Sequence, residues 1–157
     1  MFTIARLQKK DLPAALKLFR RSSFAYEQEG HHFLSDYQEE EVFRDAMEKD
    51  ILYALKEKGR VIALSIASHN LGGLYFPKSR SNYKSEALLE RVGCLDEAIL
   101  AIALFVVDPA YWGKGYGEKL LSFLEANNSN ATIISLIEEG NEIESSFFSA
   151  RGFFPFG

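Results

Sequence analysis

The spacing of apolar and polar residues divides this chain into a succession of short elements. Phe2 to Leu7 reads as a strand. Asp11 is the expected cap of a helix whose Leu12, Ala15, Leu16 and Phe19 share one face, and Pro13 is tolerated in its first turn. A second helix is expected from Ser35, where Gln38 completes a capping box, to about Asp50, with Val42, Phe43, Ala46 and Met47 turned inward. Ile51 to Leu55 and Val61 to Ser68 form a predicted hairpin around Glu57-Lys58-Gly59-Arg60. From Leu71 to Leu95 the pattern is irregular, with Gly72-Gly73, Pro77 and a short helix expected from Ser85 to Arg91.

The next stretch changes the picture. Ala98 to Val107 is a run of ten apolar residues, too short to span a bilayer, and its β-branched, aromatic and aliphatic mix suits a strand buried on both faces. Asp108-Pro109 ends it, and Gly113, Gly115 and Gly117 follow at alternate positions before a helix carrying Tyr116, Leu120, Leu121 and Leu124 on one face. Glycines so spaced let the backbone turn tightly and bring its N–H groups close to a ligand, and the helix that follows aims its positive end at the same point. This reads as a diphosphate-binding turn. Thr132 to Ile137 is then expected as a strand, Asn141 to Ala150 as a helix and Phe153 to Phe156 as a last short strand.

Two familiar phosphate motifs do not fit the spacing. Glu118 stands where a dinucleotide fingerprint needs its third glycine, and no P-loop pattern is present. Instead, Val107-Asp108-Pro109 through Leu120 resembles the acyl-CoA motif of the GNAT N-acetyltransferase superfamily. That motif runs from Val-x-Pro through Gln or Arg to three alternating glycines and a leucine. A second block, Asn141, Phe147-Phe148 and Gly152-Phe153, matches the family's downstream pattern at its usual spacing.

The resemblance implies an α/β (α+β) GNAT fold over residues 1–157 as one N-acetyltransferase domain, with a mixed central sheet, helices on both faces and a shortened C-terminus. Only Phe153 to Gly157 remain where the family builds two more strands, and Pro155 allows only an edge strand there. It further implies acetyl transfer from acetyl-CoA to a primary amine. The pantetheine arm is expected along the backbone of Phe105, Val106 and Val107, and the diphosphate on the backbone of Gly113, Lys114, Gly115, Tyr116 and Gly117. Asn141 and Phe148 are expected beside the cofactor. Three positions depart from the family. Trp112 takes the place of the Gln or Arg, Phe148 that of a tyrosine acid, and Ala101 that of the glutamate base found in some members, so no catalytic residue is named.

Composition narrows the class. At 157 residues, 47% hydrophobic and 25% charged, the chain suits a single core, and a net charge of −4 argues against a protein held by nucleic-acid phosphates. No signal peptide or membrane span is expected, so the reading is cytoplasmic. The lone cysteine, Cys94, excludes an internal disulfide and reads as a small buried residue; no metal site is expected.

Simpler roles compete at several positions. Asn141-Glu142-Ile143-Glu144 has capping-box spacing, and Phe147, Phe148, Phe153, Phe154 and Phe156 read mainly as core. The acids Asp36, Glu39, Glu40, Glu41, Asp45, Glu48 and Asp50 form either a solvated face or an attractor for a cationic amine. His31 and His32, after Glu27 and Glu29, fall where the family forms its acceptor pocket. The 71–95 stretch is decoration or a lid over the acceptor site, or else its Lys78, Arg80 and Lys84 reach the adenosine phosphates. An unfilled sheet edge makes a homodimer the expected partner state. The rival to an enzyme is an acyl-CoA-binding sensor that has lost its chemistry.

Overall fold

The computed structural model describes residues 1–28, 39–69, 98–135, 137 and 141–155. Their elements are β1 (Phe2–Arg6), α1 (Leu12–Gln28), α2 (Glu39–Glu48), β2 (Leu52–Glu57), β3 (Arg60–Ser68), β4 (Ile99–Val107), α3 (Tyr116–Ala126), β5 (Thr132–Ser135) and α4 (Glu142–Ser149). The strands lie in the order β1-β2-β3-β4-β5. The first four run antiparallel, joined between β2 and β3 by a tight turn with Lys58 and Gly59 both at positive φ. β5 is parallel to β4, as a crossover through α3 requires. The sheet is therefore mixed.

Two apolar layers hold it. On one face α1 and α2 bury Phe19, Phe43, Val42, Ala46 and Met47 against Leu64, Ala101 and Val106 of the central strands. The Phe19 and Phe43 rings meet edge to face at 5.5 Å, locking the two helices together. The other face carries α3 and α4, whose Leu120, Leu121, Leu124 and Phe148 pack on Ile62, Ile102 and Phe105. Burying each such side chain contributes about 1.5–3 kcal/mol, which is what keeps the central strands in place.

β4 serves both layers by slipping phase once. Ile66 pairs with Leu104 but Ala67 with Ile102, which leaves Ala103 as the extra residue of a β-bulge. Ala103 and Leu104 consequently face the same layer, and Phe105 turns to the α3–α4 side. β5 pairs with β4 only from Ile99 to Ile102, so beyond the bulge the two strands are no longer joined.

Three expectations need correction. Asp11 does not cap α1; a 3-10 turn, Lys9–Asp11, precedes that helix. The Asp11 carboxylate accepts from the Gln8 amide at 3.1 Å and pairs with Lys56 at 2.9 Å. Burial opposes its charge, yet these partners hold the carboxyl below its ordinary value. Nor do residues 153–155 form a strand. Gly152, at φ +89°, reverses the chain, and the Phe153 amide donates to the Phe148 carbonyl, closing α4 and folding Phe153 back onto the Phe148 ring. Pro155 has no N–H to extend a ladder. Phe154, expected in the core, is 81% exposed. The predicted start of the second helix, the His31-His32 pair, the whole 71–95 stretch with Cys94, and Phe156 lie outside the described residues.

Candidate functional site

The glycine turn is built by its own backbone. Asp108 caps a 3-10 turn, Pro109–Tyr111, by accepting from the Ala110 amide at 3.0 Å. Gly113 and Gly115 then take φ of +75° and +84°, a region that costs a side-chain-bearing residue about 1–2 kcal/mol, and Gly115 is the N-cap of α3. Gly117 is needed for a different reason. A Cβ there would come within 3.0 Å of the Phe147 ring and 3.2 Å of Val107, so the missing side chain lets α3 settle against both β4 and α4.

Beside the turn lies a cavity of about 440 Å³. Its wall includes Gly113, Gly115, Tyr116 and Gly117 of the turn and Phe105 and Val107 of β4. Because the Asp108 amide donates to Ile62 of β3 at 2.7 Å, strand alternation turns the N–H groups of Val107 and Phe105 to the opposite edge, the one β5 leaves uncovered past Ile102. An open strand edge and a nest of glycine amides thus border one cavity. A long, thin ligand with an anionic end fits this pair of features, and open space surrounds the Cβ positions of Gly113 and Gly115.

The remaining side chains of the motif are occupied elsewhere. Trp112 is on the cavity wall, but its indole N–H donates to the Val107 carbonyl at 2.9 Å and its ring meets Tyr26 of α1 edge-on at 5.4 Å. Ser22 donates to the same carbonyl at 3.3 Å, so α1, β4 and the turn are tied at one atom. The Lys114 ammonium sits 5.6 Å over the Tyr111 ring, off the wall. Tyr116 donates to Glu57 at 2.6 Å, which pushes its phenol above the ordinary value and keeps it neutral. Val106 points its side chain into the α1–α2 layer.

Asn141 and Phe148 lie behind the cavity, not on it. Asn141, 2% exposed, accepts from the Glu144 amide at 3.1 Å and donates to the Glu144 carboxylate at 3.0 Å, the capping geometry its spacing suggested. Phe148 is 1% exposed among Phe105, Phe147 and Phe153, whose ring centroids lie 5.0–5.5 Å away. Its neighbour Phe147 takes the place on the wall, together with Ile143, Glu144 and Arg151, none of them singled out by the motif. Phe148→Tyr is therefore expected to lower stability by about 1–3 kcal/mol, because its hydroxyl enters a packed ring cluster. A denaturant midpoint unchanged from that of the parent protein would contradict this placement.

Ala101, at the position of the family's occasional base, is fully buried in the α1–α2 layer. On α2 the acids are locally matched: Arg44 binds Glu40 at 2.7 Å and Lys49 binds Asp45 at 2.8 Å, so part of that charge is neutralised on the helix itself. No cluster among the described residues could hold a metal ion, and no described helix is long and apolar enough to cross a membrane.

Comparison with known proteins agrees with this geometry. No curated protein matches the sequence. Among solved structures, the chain is similar to a GNAT family acetyltransferase from Listeria monocytogenes, with a TM-score of 0.74 at 15% identity over 99% of this chain and 88% of that one. It is also similar to the ribosomal-protein-S18-alanine N-acetyltransferase of Escherichia coli (TM-score 0.64, 21% identity, 100% and 80% covered). A third likeness is to the PaiA N-acetyltransferase of Thermoplasma acidophilum in complex with coenzyme A (TM-score 0.66, 13% identity, 98% and 90% covered). These likenesses show a shared fold. The acetyltransferase (GNAT) family profile matches residues 12–153, from the first residue of α1 to the Phe153 that closes α4. With that match the chain belongs to the acetyltransferase (GNAT) family, the acetyl-CoA-dependent N-acetyltransferases.

Proposed function

We propose that this protein transfers the acetyl group of acetyl-CoA to a primary amine on a small molecule or a peptide. The observation that carries the reading is one cavity bordered both by the positive-φ glycine turn at the start of α3 and by the edge of β4 that β5 leaves uncovered past Ile102. Bound acetyl-CoA supplies an activated thioester; the rest of the work falls to the chain. Amides of the 113–117 turn hold the diphosphate, helped by the positive end of α3. The N–H groups of Phe105 and Val107 align the pantetheine as an added strand and lie where an acyl oxygen laid along that edge gathers negative charge. Tyr26, Trp112, Ile143 and Phe147 give the cavity an apolar lining that excludes water.

An amine of pKa about 10.4 must lose a proton at a cost of roughly 4.6 kcal/mol at pH 7 before it attacks. The leaving thiolate needs less help, since a thiol of pKa about 8.5 departs readily. Phe148 offers no acid, and this favours a second reading, in which the fold retains acyl-CoA binding as a sensor. Turnover separates the two. Release of free CoA from acetyl-CoA is measured across polyamines, aminoglycosides, amino acids and peptide N-termini; acceptor-dependent release supports the enzyme, and CoA binding without release supports the sensor.

A homodimer belongs to the same proposal. β5 ends the sheet, and among the described strands it is β4 that pairs with it. A second copy of the chain is the expected cover. Sedimentation velocity should show a dimer; a monomer at high protein concentration counts against it.

A further inference from the structure

The amides of the turn account for only part of the attraction a diphosphate needs, because the cavity wall also carries two carboxylates, Glu118 and Glu144. The turn's own cation, Lys114, stands over Tyr111 off the wall, and the Trp112 indole is committed to Val107. Among the described residues one cation is on the wall. It is Arg151, just beyond the C-terminal end of α4.

Its guanidinium is held in place yet poorly satisfied. The Cζ atom sits 3.8 Å over the Phe147 ring, and that ring abuts Gly117 in the first turn of α3, so the stack sets the cation one ring away from the glycine turn. Nη1 donates to the Phe147 carbonyl at 2.8 Å. Nη2 stands 3.6 Å from Glu118, too far for a hydrogen bond, and that carboxylate is 65% exposed and easily drawn off by water. Nε is buried with no acceptor among the described residues. A planar group with five donors and one hydrogen bond among the described residues is oriented beside the cavity, where two phosphate oxygens can accept from Nη hydrogens left over.

Resting on the acyl-CoA reading, we infer that Arg151 is the side chain that binds the diphosphate of the acyl donor, from the part of the cavity wall just beyond the end of α4. Lysine at this position keeps the charge but not the fork. Glutamine keeps a donor for the Phe147 carbonyl and loses the charge, so it tests the contact while sparing the end of α4.

The test is calorimetric titration of the parent protein, Arg151→Gln and Arg151→Lys with CoA, 3′-dephospho-CoA and pantetheine, with melting midpoints measured on each unliganded variant. Arg151→Gln should weaken CoA and 3′-dephospho-CoA alike, by tenfold or more, and leave pantetheine within twofold. Arg151→Lys should recover most of the loss, and the salt dependence of CoA binding should lessen in the glutamine variant. Unchanged CoA affinity in Arg151→Gln overturns the inference. So does an equal loss for pantetheine, which marks a purely structural role, and so does a loss confined to CoA, which assigns Arg151 to the 3′-phosphate. Failure of the parent protein to bind CoA at all instead overturns the acyl-CoA reading on which the inference stands.

Discussion

Glutamate in place of Gly115 abolishes the thermal stabilisation that CoA confers on the parent protein. A ligand at a hundred times its dissociation constant adds about 2.7 kcal/mol, which for a chain of this size raises the melting temperature by about 5–10 °C. The substitution acts in two separable ways. At φ +84° any side chain strains the backbone by about 1–2 kcal/mol, and this lowers the melting point of the unliganded protein by a few degrees. The new carboxylate also stands among the amides that would face the diphosphate, on the wall of the cavity, and repels it at short range. Open space around the Cβ position means the fold itself has no clash to relieve. Gly115→Ala carries the strain without the charge and should retain part of the CoA shift. Scanning fluorimetry at millimolar CoA checks all three proteins; an undiminished shift in Gly115→Glu would place the phosphates elsewhere.

Loss of the Asp108 carboxylate should be the most destabilising polar substitution in the described part of the chain. Asp108 is 1% exposed and receives Arg21 through both oxygens, at 3.0 and 2.9 Å, with Arg60 3.7 Å away and the Ala110 amide at 3.0 Å. Removing one partner of a buried pair costs about 3–5 kcal/mol. Arg21 retains 39% exposure and can be rehydrated, so Asp108→Ala belongs at the lower end, about 3 kcal/mol. Asp108→Asn keeps an acceptor for Ala110 and should cost less. Urea titration at constant m-value measures this directly. The glycine turn begins at this residue, so CoA affinity should fall along with stability, and a stability loss below 1 kcal/mol in Asp108→Ala would show that the ion pair holds little.

What could be read from the sequence follows from how local each signal is. β4 announced itself because a strand covered by helices on both faces needs no polar alternation, and Leu100 to Val106 are all buried. The inward face of α2 and the Lys58-Gly59 turn depend on neighbours a few residues away, and both were legible. The glycine turn was legible because backbone geometry restricts residue type directly. Contacts across long separations were not. Arg21 and Asp108 lie 87 residues apart, and nothing in either segment marks the other. Phe147 and Phe148 differ by about 100° around α4, so the docking of that helix alone decides which ring meets the cavity and which is core. The same docking brings Arg151 to the wall. The last strand failed because Gly152 was read as part of a motif when its backbone conformation closes the helix.

The bulge at Ala103 gives β4 a tolerance that a regular strand lacks, and one that differs along its length. Upstream of it, Ala101 and Ile102 are fixed on two sides, by β3 and by β5; downstream, among the described residues, Leu104 to Val107 are paired with β3 alone. Deleting Ala103 would restore simple alternation and leave every other side chain on its present face, whereas a deletion at Ala101 or Val106 would invert every side chain on one side of it. Loss of the bulge residue thus needs no change in β3, whereas a change of length elsewhere along β4 would have to be matched there, and β3 has its own extra residue, Ile62, to set its phase against β2.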